Sequence, residues 1–141
     1  TTFTVQYTPT LAGAFSFDLS FVNDDADENP FNFTVSGTGS GAPEISVSSS
    51  VGGAVADGGT DAQGFVAAGT PQTVTYTVTN SGTDDLTIAT ATTAAPSNVT
   101  INAIGAPGST TIGAGGGSTT FTVQYTPTLA GAFSFDLSFV N

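Results

Sequence analysis

The sequence predicts an all-β fold, an antiparallel sandwich, and it predicts that the sandwich recurs. Apolar and polar residues alternate with period two along most of the chain. Clusters of Gly, Pro, Asn and Ser separate the alternating runs, and no segment carries a 3.6-residue apolar stripe. The third observation is internal: residues 119–141 repeat residues 1–23 letter for letter, an offset of 118. A period that long is one whole domain rather than a turn of a short solenoid.

Taken in order, Phe3, Val5 and Tyr7 alternate with Thr2, Thr4, Gln6 and Thr8 and read as a strand with one buried face. Phe15, Phe17, Leu19 and Phe21 alternate with Ser16, Asp18 and Ser20, and Phe31, Phe33 and Val35 follow the same rule. Further strands are expected at 44–48, near 64–67, and at 72–79, 85–89, 98–103, 119–125 and 132–141. Turn signals lie between them: Thr8-Pro9, Ala12-Gly13, Asn29-Pro30, 37–43, Asn80-Ser81-Gly82 and 113–117. Seven or eight short strands per period, without helices or closure signals, point to an immunoglobulin-like sandwich. The large apolar side chains of one period suffice for a core without a metal or disulfide. The Cys and Trp hallmarks of antibody domains are missing, so the likeness is architectural.

With Pro43 as the start of a domain, residues 1–42 read as the C-terminal strands of one repeat. Residues 43–141 then read as the next repeat lacking its final strand, the copy of 24–40. Either the parent is one continuous tandem chain, or subunits complete one another by donated strands. The continuous chain is the simpler reading, because a self-contained subunit has no need of an identical overlap. The chain opens without Met or a signal-like segment, as a window on a longer protein would.

Composition narrows the function. There is no Lys, Arg, His, Cys, Met or Trp, and the acidic residues give a formal charge of -11. Such a polyanion repels nucleic acid and anionic membranes, so neither is an expected partner. With no basic side chain, the carboxylates must be solvated, screened by salt or neutralised by cations. Disulfides and lysine isopeptide cross-links are both excluded. The absence of trypsin sites and of oxidation-prone side chains suits a long-lived extracellular or cell-surface material. No apolar run approaches the roughly 20 residues of a membrane-spanning helix.

Four stretches carry a family resemblance: Pro43-Glu44-Ile45-Ser46-Val47, the run from Val78 through Asn80-Ser81-Gly82 to Ile88, Phe121-Thr122-Val123-Gln124-Tyr125-Thr126-Pro127, and the ENPF to SGTG stretch ending at Gly39. Together they resemble bacterial choice-of-anchor D repeats, which are similar to the abnormal-spindle/hydin class of immunoglobulin-like domains. The resemblance implies a large secreted or surface-anchored bacterial protein and implies no catalytic residues. The chain departs from the pattern in lacking basic residues.

The candidate metal site is the acidic run Asp24, Asp25, Asp27 and Glu28, flanked by Asn23 and Asn29. Calcium takes six to eight hard oxygens, which a turn can supply from carboxylates and carbonyls at short spacing. The EF-hand pattern is absent, and a solvated hairpin turn is the plainer reading. Asp57 and Asp61, flanking Gly58-Gly59, form a weaker second pair. Thr73, Thr75, Thr77 and Thr79 would share one strand face, which suits an ice or subunit contact as well as an ordinary solvated face. Asn32 and Asn98 begin N-glycosylation patterns. With no His, Lys or Cys and no phosphate loop, catalysis is not expected. The expected role is a structural repeat of an extracellular bacterial surface filament, fibre or adhesin stalk whose partners are copies of itself. The alternative is a calcium-dependent adhesion module that binds glycan, ice or a neighbouring cell.

Overall fold

A computed structural model describes residues 1–139, which are all-β. Strands β1 (Gly13–Phe21) and β2 (Phe31–Gly39) form an antiparallel hairpin of their own, in unbroken register from Gly13 opposite Gly39 to Phe21 opposite Phe31. Residues directly opposite share a face. Phe15, Phe17, Leu19 and Phe21 therefore lie beside Gly37, Val35, Phe33 and Phe31, while Thr34 donates to the Asp18 carboxylate at 2.6 Å on the other face. Gly37 has a steric reason: a Cβ there would come within 2.8 Å of Phe15 Cζ.

After a short link come β3 (Ile45–Ser49), β4 (Gly53–Val55), β5 (Gln72–Asn80), β6 (Leu86–Thr87), β7 (Thr92–Ser97), β8 (Val99–Ile104), β9 (Thr111–Ile112), β10 (Gly117–Pro127) and β11 (Ser134–Ser138). They build an antiparallel five-stranded sheet in the order β4-β3-β5-β10-β8 and two two-stranded sheets, β11-β7 and β6-β9. The buried core joins them: Val74, Tyr76 and Val78 of β5, Phe121, Val123 and Tyr125 of β10, with Leu86, Ile88, Ala91, Val99 and Ile112. Phe133, Phe135, Leu137 and Phe139 pack against this core from the opposite layer. The arrangement is that of a sandwich. Tyr76 stacks on its register partner Phe121 at 5.3 Å between ring centroids.

Two irregularities let the period-two pattern bend. Between Gln124 and Tyr125 the β10–β8 register shifts, leaving Asn102 without an opposite residue. Ile101 and Ile104, three apart, thereby both pack on the core, which a regular strand would forbid. On β7 the shift falls at Ala95 and Pro96, where Ala95 takes a φ of 47° and Pro96 has no N–H to offer a ladder.

Most expected strands are present, with three additions and two corrections. Strands β4, β7 and β9 arise where no strand is expected from the sequence. Residues 64–67 are not a strand: Gly64 and Gly69 have φ of 69° and 77°, and the segment stays a loop with Phe65 fully exposed. The second correction concerns residues 3–7, which have no strand structure although residues 121–125 have the same sequence and form the centre of β10. Phe121 and Tyr125 are 3 % and 1 % exposed, whereas Phe3 and Tyr7 are 63 % and 53 % exposed. The cause lies in the neighbours. Strand β10 is hydrogen-bonded on both edges, by β5 and β8, and residues 1–9 have no strand beside them. The end of the strand expected at 132–141, Val140 and Asn141, lies outside the described residues.

One aspect of the repeat survives this loss of pairing. Phe3 meets Phe21 at 5.1 Å, as Phe121 meets Phe139 at 5.1 Å. Tyr7 meets Phe15 and Phe17 at 5.3 and 5.4 Å, as Tyr125 meets Phe133 and Phe135 at 5.4 Å each. Edge-on and tilted aromatic packing is thus encoded within the 23 residues, and ladder pairing is not.

The identical residues give a paired test. Phe121→Ala should lower unfolding stability by about 3–5 kcal/mol in a urea titration, the usual result of emptying a packed aromatic site. Phe3→Ala should change it by about 0.5 kcal/mol or less.

Candidate functional site

The acidic run lies in the exposed loop that joins β1 to β2. Its polar groups are largely turned to the loop's own backbone. Asn23 Oδ1 accepts from the Asp25 amide at 2.8 Å, Asp25 Oδ1 from the Asp27 amide at 3.4 Å, and Asn23 Nδ2 donates to the Glu28 carbonyl at 2.8 Å. The Asp25 carboxyl is held below its ordinary value by hydrogen bonding, first with the Asp27 side chain and then with the Asp27 and Ala26 amides. These are the bonds of consecutive Asx turns. Asp24, Asp25, Asp27 and Glu28 therefore share one loop, but among the described residues no three acidic side chains converge as a metal site would require.

The second acidic pair separates. Asp57 stays exposed in the loop after β4, whereas Asp61 turns inward and becomes a hub. Its carboxylate accepts from Ser49 Oγ at 2.9 Å, Gln63 Nε2 at 2.6 Å and the Tyr76 hydroxyl at 2.9 Å. Ser49 Oγ in turn accepts the amides of Val51 and Gly52, and Tyr125 donates to Gln63 Oε1 at 3.2 Å. Loop 56–66 is thereby pinned to β3 and β5 by the Asp61 carboxylate and to β10 through Gln63. Burial, and then the hydrogen bond and negative charge of Asp61, raise the Tyr76 hydroxyl far above its ordinary value. Tyr125 is raised too, mainly by burial.

Above this hub lies an open groove of about 1340 Å³. One wall is the end of the five-stranded sheet, with Ile45, Val47 and Val55; the other is β11 with Phe133, Phe135 and Leu137. Phe65 stands on the loop that borders it. Strand β11 pairs only with β7, so the edge it turns away from β7 has no hydrogen-bonded strand among the described residues. Ile45, Phe33 and Phe31 are each 40–45 % exposed, an unusual loss of apolar burial for strand residues. The groove thus sets apolar side chains of β3 and β11 beside the polar residues of loop 56–66, along a β11 edge with no strand paired to it among the described residues.

The third arrangement sits at the end of the sandwich where β5 meets the link from β2. Asn80 is fully buried and makes four hydrogen bonds: it accepts from the amides of Glu44 and Gly82 and donates to the carbonyls of Asp84 and Ile112. The turn it braces receives the preceding hairpin. Ala12 N donates to Thr83 O at 2.7 Å and Thr83 N to Ala42 O at 2.9 Å. A Cβ on Gly41 would lie 2.7 Å from Thr83 O, so glycine permits this approach.

The threonine stripe of β5 continues across the sheet. Thr79 lies between Ser46 and Ser118, and Thr77 between Ser48 and Thr120, giving a hydroxyl-bearing outer face. Asn98, at a φ of 54°, uses its amide to donate to Ala132 O at 3.0 Å, and Asn32 donates to Pro30 O. Sequence reasoning missed the Asp61 hub and the groove. The pattern of Ser49, Asp61, Gln63 and Tyr76 has no periodicity that joins its members. The groove follows from which strands have partners.

Two outcomes are expected. Asn80→Ala leaves two amides and two carbonyls to find water in a buried turn and should cost about 2–4 kcal/mol, measured by thermal or chemical unfolding. The chain should also lose stability in alkali. The phenols are neutral in the fold, while the unfolded chain ionises near the ordinary value of 10.0, so unfolding releases protons above that pH. Stability present below pH 10 falls as pH rises further, and Tyr76→Phe should make the decline shallower. Comparison with known protein families, curated proteins and solved structures gave no match.

Proposed function

We propose that this chain is a structural repeat of an extracellular bacterial surface filament, fibre or adhesin stalk, joined end to end with other repeats of its kind. The reading rests chiefly on complementarity within one molecule. The N-terminal 42 residues carry a hairpin and an aromatic segment with an uncovered face, and the C-terminal sandwich has a bare-edged groove bordered by a copy of that hairpin's first strand. The junction also favours a stalk: a link of five residues, braced by Asn80 and bonded through Thr83, holds the hairpin against the next sandwich.

The immunoglobulin-like assignment and the relation to choice-of-anchor D repeats belong to the same proposal. They are supported by the antiparallel two-layer architecture and by the place of the resembling residues. Asn80-Ser81-Gly82 forms the braced turn, and 121–127 forms the central strand. An exterior location suits the unopposed charge and the lack of Lys, Cys, Met and Trp. The acidic loop then serves as a solvated, charged projection.

The test is assembly. The chain, concentrated at physiological salt and viewed by electron microscopy, should form unbranched assemblies one sandwich wide with a regular axial repeat. Particles that stay monomeric at every concentration and bind a glycan would instead favour the adhesion module.

A further inference from the structure

We infer that the bare edge of β11 is an acceptor for β2 of a second copy of this chain, which enters the groove in the register that β1 now holds. This rests on the filament reading and names its joint.

The register is already visible in the molecule. Residues 13–21 and 131–139 are identical, and in the first copy they pair residue by residue with β2. Shifted by 118, the same pairing places Phe31 opposite Phe139, Phe33 opposite Leu137, Val35 opposite Phe135 and Gly37 opposite Phe133. Thr34 then meets Asp136 as it now meets Asp18. Phe31, Phe33 and Val35 would turn toward the half-buried Val47 and toward Ile45 and Phe65, which the groove leaves exposed. Gly37 fits for the reason it fits in the hairpin: the ring of Phe133 takes the place of Phe15.

The strand cannot come from the same copy. In this register Gly39 lies opposite Gly131, at the end of the sandwich where β10 finishes, while Ile45 lies opposite Asn80 at the other end. The eight residue rises between Gly131 and Phe139 span about 26 Å. The six steps from Gly39 to Ile45 reach at most about 21 Å even when fully extended, before any sideways crossing. Strand β2 and the β11 edge of one copy therefore cannot pair with each other, whereas those of two copies can. The contact is heterologous: each copy gives a strand at one end and receives one at the other, which generates an open polar filament. The donor's β3 is left at the acceptor's far end. There Ala130, the copy of Ala12, stands ready for the Thr83 contact that Ala12 now makes.

Exchange costs little in pairing, since β2 leaves β1 for an identical strand, and it gains the burial of the groove. It also makes β1 a competitor for β2. The test uses the full chain with two substitutions and one peptide. Val35→Asp, on the donor strand, should raise the concentration at which filaments form at least tenfold and leave the sandwich's melting transition in place. Leu19→Asp, which weakens only the competing β1, should lower that concentration. A labelled peptide of residues 24–42 should bind one per chain and shorten filaments, and the same peptide with Phe33→Asp should do neither. If the wild type assembles and neither Val35→Asp nor the peptide alters it, the strand assignment is overturned and the filament reading stands. Loss of assembly in Leu19→Asp would overturn the exchange register. A wild type that remains monomeric yet binds one peptide would overturn both the second copy as occupant and assembly from separate chains, and would give the groove to later residues of the same polypeptide.

Discussion

The position of β10 between β5 and β8 is the constraint on which the rest of this molecule depends. A strand with an apolar face is stable in water only when that face is covered and its amides and carbonyls are bonded on both edges or reach solvent. Residues 119–127 meet all of these conditions, and Val74, Tyr76 and Val78 on one side and Val99 and Ile101 on the other close the core around them. Residues 1–9 have the same sequence and only the aromatic contacts of β1. Strand formation in this chain is thus a property of the neighbours. Apolar patterning chooses which face turns inward and leaves the decision to fold to the partners.

Polar side chains then fix where the strands begin and end. The sandwich has no possible salt bridge between side chains, so its buried polar groups are held by hydrogen bonds alone. Asn80 ties four backbone segments at one end, and Asp61 ties three side chains under the groove. Neither leaves a buried side-chain atom without a partner among the described residues. Because an unsatisfied buried group costs more than a made bond gains, such hubs specify geometry more than they add stability. Their placement bears on the proposed joint. Asn80 sets the turn against which Ala12 and Gly41 sit, and Asp61 holds the loop that carries Phe65 to the groove.

How much of this was legible in the sequence depended on range. Period two located β1, β2, β3, β5, β10 and β11, where side chains alternate against a single neighbouring layer, and it found β8 although a bulge there breaks the alternation. It failed where a strand owes its existence to a bulge or to a distant edge. Strand β7 contains Pro96 and reads as a break, yet it forms because β11 runs beside it. Residues 3–7 read as a strand and are not one, because nothing runs beside them. The 64–67 segment has the composition of a strand but two glycines with positive φ in and just after it. For the site, charge density drew the eye to Asp24, Asp25, Asp27 and Glu28, whose loop is exposed, and away from Asp61, a single carboxylate whose partners lie 2 to 15 residues away.

In the strand exchange proposed above, the period itself would make a directional joint out of these parts. Had the repeated segment been only the nine residues of β1, an incoming β2 would find a matching edge without the aromatic layer behind it. The longer copy carries Phe121 and Tyr125 as well, and these hold Phe133, Phe135 and Phe139 at the spacings seen at the other end. The acceptor edge is therefore presented with its apolar face already packed, so a strand arriving there meets an ordered surface, and little further conformational entropy is lost in forming the joint. Lacking cysteine and lysine, the chain has no disulfide or isopeptide bond with which to lock such a joint. The strength of the proposed joint would come from the length of the ladder and the burial of Phe31, Phe33 and Val35.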